Sequence, residues 1–476
     1  MIKAIDRRDF LSNSALLAAG LGLPGCTVRE LGPRPIPDFY EDIEHRTFRF
    51  FWERVNRRNG LVPDRWPTPS FSSIAAVGFA LPAYAIGVER GWCSRAEARD
   101  LTLATLRFFW NVPQGPERSG TSGHAGFFYH FLDMETGARY RQVELSSVDT
   151  TILLMGVLFA RNYFDRPEAG EREIRKLAGL LYDRADWNFF RSDGRAPISM
   201  GWHPESGLID SNWVGYNEAM FVNILALGSN THPAPANVWS QWTAPYPRFW
   251  RGSGATRRLA FAPLFGHQYS HVFIDFRGIF DAPMRAARFD YFENSRRATY
   301  ANRAYCMANP MGWRGYSDRI WGLTACDGPG GFELVRDGQK RTFFGYSARG
   351  PIDEPDGRDD GTIAPTAALG SLPFAPEIVM PCADAMLREH GSRIFSRYGF
   401  LDSFNPSFTY PEVKPESGTV DAKAGWVARD YLGIDQGPIL LQAANYRDDF
   451  VWRFTRRDPA IRRGLRRAGF TGGWLG

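Results

Sequence analysis

The chain has 476 residues, 44% of them hydrophobic and 23% charged, with a formal net charge of +5. This is the composition of a globular protein with a large core. So small a charge, carried by arginines scattered along the chain with no long basic stripe, excludes a dedicated nucleic-acid binder. Aromatic residues are plentiful (36 Phe, 18 Tyr, 15 Trp). Such a surplus of Trp and Tyr also suits stacking against the flat faces of sugars.

In chain order, the first 26 residues read as a targeting segment. Arg7-Arg8-Asp9-Phe10-Leu11 resembles a twin-arginine export signal, and the apolar run Ala15 to Leu23 is too short to span a bilayer. Leu23-Pro24-Gly25-Cys26 resembles a lipobox, in which Cys26 is lipidated and becomes the mature N-terminus; an ordinary cleaved signal is the plainer reading. The expected organisation is a signal peptide over 1–25, a Pro- and Gly-rich tether over 26–38 and one domain over 39–476, working in the periplasm. The remaining cysteines, Cys93, Cys306, Cys326 and Cys382, are widely spaced. That spacing argues against a structural zinc site and leaves disulfides open.

Helical patterns then recur. Tyr40 to Val55 is amphipathic, and Ser73 to Val88 is apolar nearly all round. Ser94 with Glu97 forms a capping box. Further helices are expected over 148–164, 168–184, 216–228, 281–301, 374–391, 418–430, 435–447, 449–456 and 458–468. A β-hairpin is expected between Gly126 and Glu144, turning at Glu135-Thr-Gly137. The long irregular stretches 229–262 and 345–365 suit cleft walls. Alternation of fully apolar and amphipathic helices predicts an all-α protein, an (α/α)6 barrel of two concentric helix rings with long cleft-lining loops; two helix bundles are the generic alternative.

Three carboxylates stand at helix mouths among aromatic residues: Asp149, Glu218 and Asp402. Each has a plain explanation. Asp149 caps a helix, Glu218 complements a helix dipole, and Asp402 forms a turn before Asn405-Pro406. Their functional reading is the carboxylate pair of a glycoside hydrolase, one protonating the leaving oxygen and one on the opposite face. Glu144 is a lesser candidate. His267, His271 and Asp275 would share one face of a helix, but two His and a carboxylate signal a metal only weakly. A sugar-binding polar wall or core histidines fit better, and no metal or cofactor is expected. Trp213, Trp313, Trp321 and Trp426 are candidates for sugar stacking, and Asp327 and Asp360 for sugar hydroxyls, each with a core or turn alternative. No phosphate loop, dinucleotide fingerprint or Gly-x-Ser-x-Gly elbow occurs in a credible setting.

Several segments, in joint order, are similar to the glycoamylase-like family and in particular to bacterial β-1,2-glucanases of glycoside hydrolase family 144. They are Ser73-Ile-Ala-Ala-Val-Gly-Phe, Gly126-Phe-Phe-Tyr-His-Phe-Leu-Asp133, Glu144-Leu-Ser-Ser-Val-Asp149-Thr, Gly215-Tyr-Asn-Glu218-Ala, Phe265-Gly-His-Gln-Tyr-Ser-His271, Trp321-Gly-Leu-Thr-Ala-Cys-Asp327-Gly-Pro, Asp360-Gly-Thr-Ile-Ala-Pro-Thr366, Tyr398-Gly-Phe-Leu-Asp402-Ser-Phe-Asn405 and Tyr431-Leu-Gly-Ile-Asp-Gln-Gly-Pro438. The resemblance spans about residues 39–470. It implies an (α/α)6 barrel, β-glucan as partner, β-1,2-glucan as leading substrate, Glu218 as general acid and Asp149 or Asp402 as base. A helix end lowers the pKa of a carboxyl, so burial against Tyr216 and Trp213 must outweigh it for Glu218 to act as the acid. Other classes remain in play: a glucan-binding lipoprotein without catalysis, a transglycosylase, or a polysaccharide lyase. Endo or disaccharide-releasing action and oligomeric state are left open by the sequence.

Overall fold

The computed structural model describes residues 33–191, 197–336 and 338–476; the signal segment and Cys26 lie outside them. Residues Arg34–Gly476 form one compact unit. Helix α1 (Asp38–Arg54) lies against α2 (Ile74–Glu89), which is followed by α3 (Arg95–Asn111), α4 (Ser147–Tyr163) and α5 (Ala169–Arg184). Then come α6 (Met220–Gly228), α7 (Val238–Thr243), α8 (Tyr269–Phe273), α9 (Ala282–Ala287) and α10 (Tyr291–Ala308). The last are α11 (Pro365–Leu369), α12 (Pro376–Ile394), α13 (Gly433–Asp448), α14 (Phe450–Thr455) and α15 (Pro459–Arg467).

The burial pattern follows the apolar periodicity. Helices α2, α4, α6 and α13 are buried nearly all round and pack side by side, α13 on α2, α2 on α4 and α4 on α6. Amphipathic α1, α3 and α5 cover them, and α15 covers α6. The capping box of Ser94 and Glu97 starts α3 as expected. Two glycines let α2 and α4 approach closely. A Cβ on Gly156 would lie 2.1 Å from the Gly78 carbonyl oxygen, and one on Gly78 would lie 2.4 Å from that of Ile152. Only a missing side chain permits such contact.

Two-residue strands brace the mouths of the buried helices. Ser72–Ser73, before α2, pairs with Phe131–Leu132. Leu145–Ser146, before α4, pairs with Gly201 and Trp202, and Tyr431–Leu432, before α13, pairs with Arg65–Trp66. These pairings hold the first turns of three inner helices at one end of the molecule.

Some expectations fail locally. The expected hairpin between Gly126 and Glu144 does not form as one ladder. Phe127–Phe128 pairs back on Gly123–His124 and Phe131–Leu132 on Ser72–Ser73, leaving only isolated bridges such as Leu132 to Arg139. The turn itself closes, the Asp133 N–H donating to the Ala138 carbonyl, but the flanking strands take other partners. Residues 281–301 break into α9 and α10 where Arg288 adopts φ +64°. The expected helix over 418–430 is instead strands Thr419–Asp421 and Gly425–Val427, the second also paired with Phe404–Asn405. Gly418 and Gly425, at φ +76° and +82°, turn the chain where a helix would need negative φ. Among the described residues no helix is long and apolar enough to cross a membrane, and Cys93, Cys306, Cys326 and Cys382 are free thiols.

Candidate active site

Asp149 sits in the first turn of α4. Ser146 caps that helix, its Oγ accepting from the Asp149 N–H at 3.1 Å and donating to Asp149 Oδ2 at 2.5 Å. His130 Nδ1 lies 2.7 Å from Glu144 Oε1 and its Nε2 lies 3.6 Å from Asp149 Oδ1. Burial disfavours the imidazolium, but the charges of Asp149 and Glu144 outweigh it and raise the His130 pKa to about 9. Burial raises Asp149, opposed by His130 and Ser146, while the bond from His130 overcomes burial and lowers Glu144. Ligand atoms of these three residues lie within 4.8 Å of one another. A cation could use that spacing only by displacing the proton that the two carboxylates favour on His130.

Glu218 lies in a turn two residues before α6 begins at Met220. Its backbone is anchored by Ser270 Oγ, which donates to the Glu218 carbonyl at 2.6 Å. Its side chain is half-buried, and Oε2 is fully buried with no hydrogen-bond partner among the described residues. Burial, augmented by the charge of Asp149, raises its pKa to about 7. A hydrogen bond from its own backbone N–H opposes this rise without cancelling it.

Asp402 and Asp435 form a second acidic group. Asp402 Oδ2 accepts from the Asp327 N–H at 2.7 Å and from Ser403 Oγ at 3.1 Å. Burial raises Asp402, while a hydrogen bond from Asp435 and the Asp327 N–H oppose it. Burial and the adjacent Asp402 push Asp435 far up, so of the two carboxyls Asp435 holds its proton the more tightly. Arg65 reaches both Asp64 at 2.9 Å and Asp327 at 2.8 Å. Burial and Asp402 still raise Asp327 to about 7.

Tyr269 joins the two groups. Burial raises its phenol well above the usual range, with further contributions from Asp435, Glu218 and Asp149, all within electrostatic reach. Asp64 likewise acts on both His130 and Tyr346. Tyr346, 56% exposed, also feels Asp435 and Asp402 and offers a ring to solvent beside them. His130, Arg65, Asp64, Tyr269 and Tyr346 escaped the sequence reading, although His130 and Tyr269 lie within stretches singled out there.

Other candidates are placed in the core. His267 and His271 are buried, and α8 is too short to align them with Asp275. His267 bonds Tyr216 Oη at 3.0 Å and His271 bonds Ser295 Oγ at 3.1 Å. Burial lowers both, His267 to about 3, so they are neutral core histidines rather than a wall for sugar hydroxyls. Tyr216 is itself fully buried. Trp321 and Trp426 are buried completely, which removes them as stacking platforms. Trp313 is nearly so, its ring covered by the Arg341 guanidinium. Trp213 donates from Nε1 to Ser147 Oγ at 2.9 Å and supports the start of α4. Asp360 is buried against Arg349, both its oxygens occupied by the guanidinium and by the N–H groups of Phe344 and Thr362. It has no capacity left for a sugar hydroxyl.

A family model, Glycoamylase, matches residues 210–459, which includes Glu218, Asp402 and Asp435. The chain belongs to the glycoamylase family. Among this family member's relatives is the exo β-1,2-glucooligosaccharide sophorohydrolase (non-reducing end) of Parabacteroides distasonis, 26% identical over 456 residues. That alignment covers 89% of this chain but only 57% of the Parabacteroides protein, so the chain spans little more than half of that relative. The crystal structure of an endo-β-1,2-glucanase from Chitinophaga pinensis, in complex with sophorotriose and glucose, superposes with a TM-score of 0.76 at 25% identity, covering 92% of this chain and 98% of that one. A β-1,2-glucanase structure from Parabacteroides distasonis gives a TM-score of 0.75 at 25% identity, covering 91% of this chain and 60% of that one.

Proposed function

We propose that this glycoamylase-family protein is an exported glycoside hydrolase that cleaves β-1,2-glucan in the cleft of an (α/α)6 toroid. The observation that carries the chemistry is Glu218, a half-buried carboxyl with one orphaned, buried oxygen and a pKa raised to about 7 beside Asp149. A carboxyl that stays protonated near neutrality can protonate a glycosidic oxygen. The substrate class rests on the likeness to the Parabacteroides sophorohydrolase and the Chitinophaga endo-β-1,2-glucanase.

In this mechanism Glu218 is the general acid. Asp402, in which the Asp327 N–H, Ser403 and a hydrogen bond from Asp435 oppose the effect of burial, is the base that takes a proton from water. Asp149, with His130 and Glu144, keeps Glu218 protonated and orients the sugar. Asp149 acts on Glu218 electrically. The reading taken is inversion, in which a water between acid and base is the attacking group. A lyase needs free cations to neutralise a uronate; Arg65 and His130, the cations of this site, are each held by two carboxylates. Export rests on the twin-arginine-like start of the chain.

The test is to incubate the purified protein with linear β-1,2-glucan and with other β-glucans, and to follow products by chromatography and by NMR of the new anomeric proton. Release of sophoro-oligosaccharides as the α-anomer is expected. No release from any β-glucan would remove the hydrolase reading, and a β-anomeric first product would remove inversion.

A further inference from the structure

The inner helices share a polarity. Asp149, Glu218 and Asp435 stand at or just before the starts of α4, α6 and α13. At about 1.5 Å per residue, the far ends of α4 and α13 lie about 18 Å or more from those carboxylates. That far end is basic. Arg161, near the end of α4, bonds Asp458, the N-cap of α15, at 2.5 Å. Arg463 and Arg467 donate to the carbonyls of Gly228 and Leu227 that finish α6. Helix C-termini are negative dipole ends and attract such guanidinium groups.

The arginines that look scattered in sequence are gathered here by the fold. Arg453, Arg457, Arg462, Arg463, Arg466 and Arg467 line two adjoining shallow clefts of about 540 and 480 Å³. Among the described residues none of the six has a carboxylate within ion-pair distance; they bond carbonyl oxygens or lie over Phe450, Phe454 and Trp474. Asp275, Asp448, Asp449 and Asp458, at the same end, are already paired with Arg277, Arg90, Arg456 and Arg161. Six uncompensated charges exceed the formal +5 of the whole chain. The chain also enters the body at this end: the Arg34 N–H donates to the Arg447 carbonyl at 2.8 Å, beside the end of α13.

We propose that this face docks on an anionic phospholipid surface, with the acidic cleft turned away toward soluble glucan. Exposed Arg457, Arg466 and Arg467 supply the charge. Half-buried Trp474 and Phe454, each carrying a guanidinium, suit the headgroup boundary, where Trp and Arg concentrate. A basic face adds to whatever holds the preceding segment, since a single weak anchor gives only reversible binding.

The experiment uses the full chain carrying Cys26→Ser, which cannot be acylated there, and compares it with the same chain carrying Arg453→Gln, Arg457→Gln and Arg466→Gln. Both are co-sedimented with vesicles of equal parts phosphatidylglycerol and phosphatidylcholine, and with phosphatidylcholine alone, at low and high salt. Binding to the anionic vesicles is expected, lost in high salt and undisplaced by inorganic phosphate at matched ionic strength. The triple variant should bind on the order of a hundredfold more weakly, about fivefold per arginine. It should keep its melting temperature and its activity on soluble glucan. Equal binding of the two chains, equal binding to neutral vesicles, displacement by phosphate, or tighter retention by duplex DNA than by vesicles would each overturn the assignment. Arg457→Glu alone, an exposed single change, gives the same comparison should the triple variant prove unstable.

Discussion

Asp402 and Asp435 meet as a buried carboxyl pair in which burial raises both and the charge of Asp402 pushes Asp435 far up. Like charges cannot both ionise at such a spacing, so the proton on one is the condition for the charge on the other. Asp435→Asn keeps a donor toward Asp402 and should retain most activity. Asp435→Ala removes it, raising the Asp402 pKa and moving the acid limb of the kcat/KM profile to higher pH. Asp402→Asn should cost about a hundredfold to ten-thousandfold in kcat. An unchanged acid limb in Asp435→Ala would separate the pair functionally.

Glu218→Gln should abolish turnover and change stability in a definite direction. The folded pKa of Glu218, about 7, is above the ordinary glutamate value of 4.5. Its protonated form therefore favours folding below about pH 4.5, and that advantage disappears as pH rises through 7. Each pKa unit is about 1.4 kcal/mol, so the native protein should lose on the order of 3 kcal/mol, at most about 3.5, across that interval relative to Glu218→Gln. Parallel thermal melts of the two proteins between pH 4 and 8, on the order of one reading per pH unit, provide the check.

Asp149→Asn removes a negative charge that helps to keep Glu218 protonated. The basic limb of the pH profile should shift to lower pH, with a reduced maximum. A basic limb that stays in place would show that burial alone sets the acid.

Gly156→Ala should destabilise the protein without touching the site. Its Cβ would meet the Gly78 carbonyl at 2.1 Å, and both atoms belong to helix backbone that can move only by parting α2 from α4. A loss of about 1–3 kcal/mol by denaturant titration is expected, typical of overpacking. Arg349→Ala should cost more, about 3–5 kcal/mol, because it leaves Asp360 buried without its cation.

The long inner helices were legible because their apolar residues leave no polar face, and the Ser94–Glu97 box marked a helix start directly. The helix expected over 418–430 was not, since its strands exist through pairing with Phe404–Asn405. The spacing of His267, His271 and Asp275 suggested one helical face, but α8 ends at Phe273 and core bonds claim both histidines. Trp321 and Trp426 looked equally suited to stacking and to the core; burial alone distinguishes these uses.

Local periodicity and short motifs in the sequence carried the family, the main helices and the candidacy of Asp149, Glu218 and Asp402. Tertiary structure decided the surroundings of those carboxylates. Burial and neighbours from distant segments raise Glu218 to about 7 and push Asp435 far up beside Asp402. Desolvation and charge act through space, so residues far apart in the chain, such as Arg65, His130 and Asp435, enter the site only once the helix mouths have been brought to the same end.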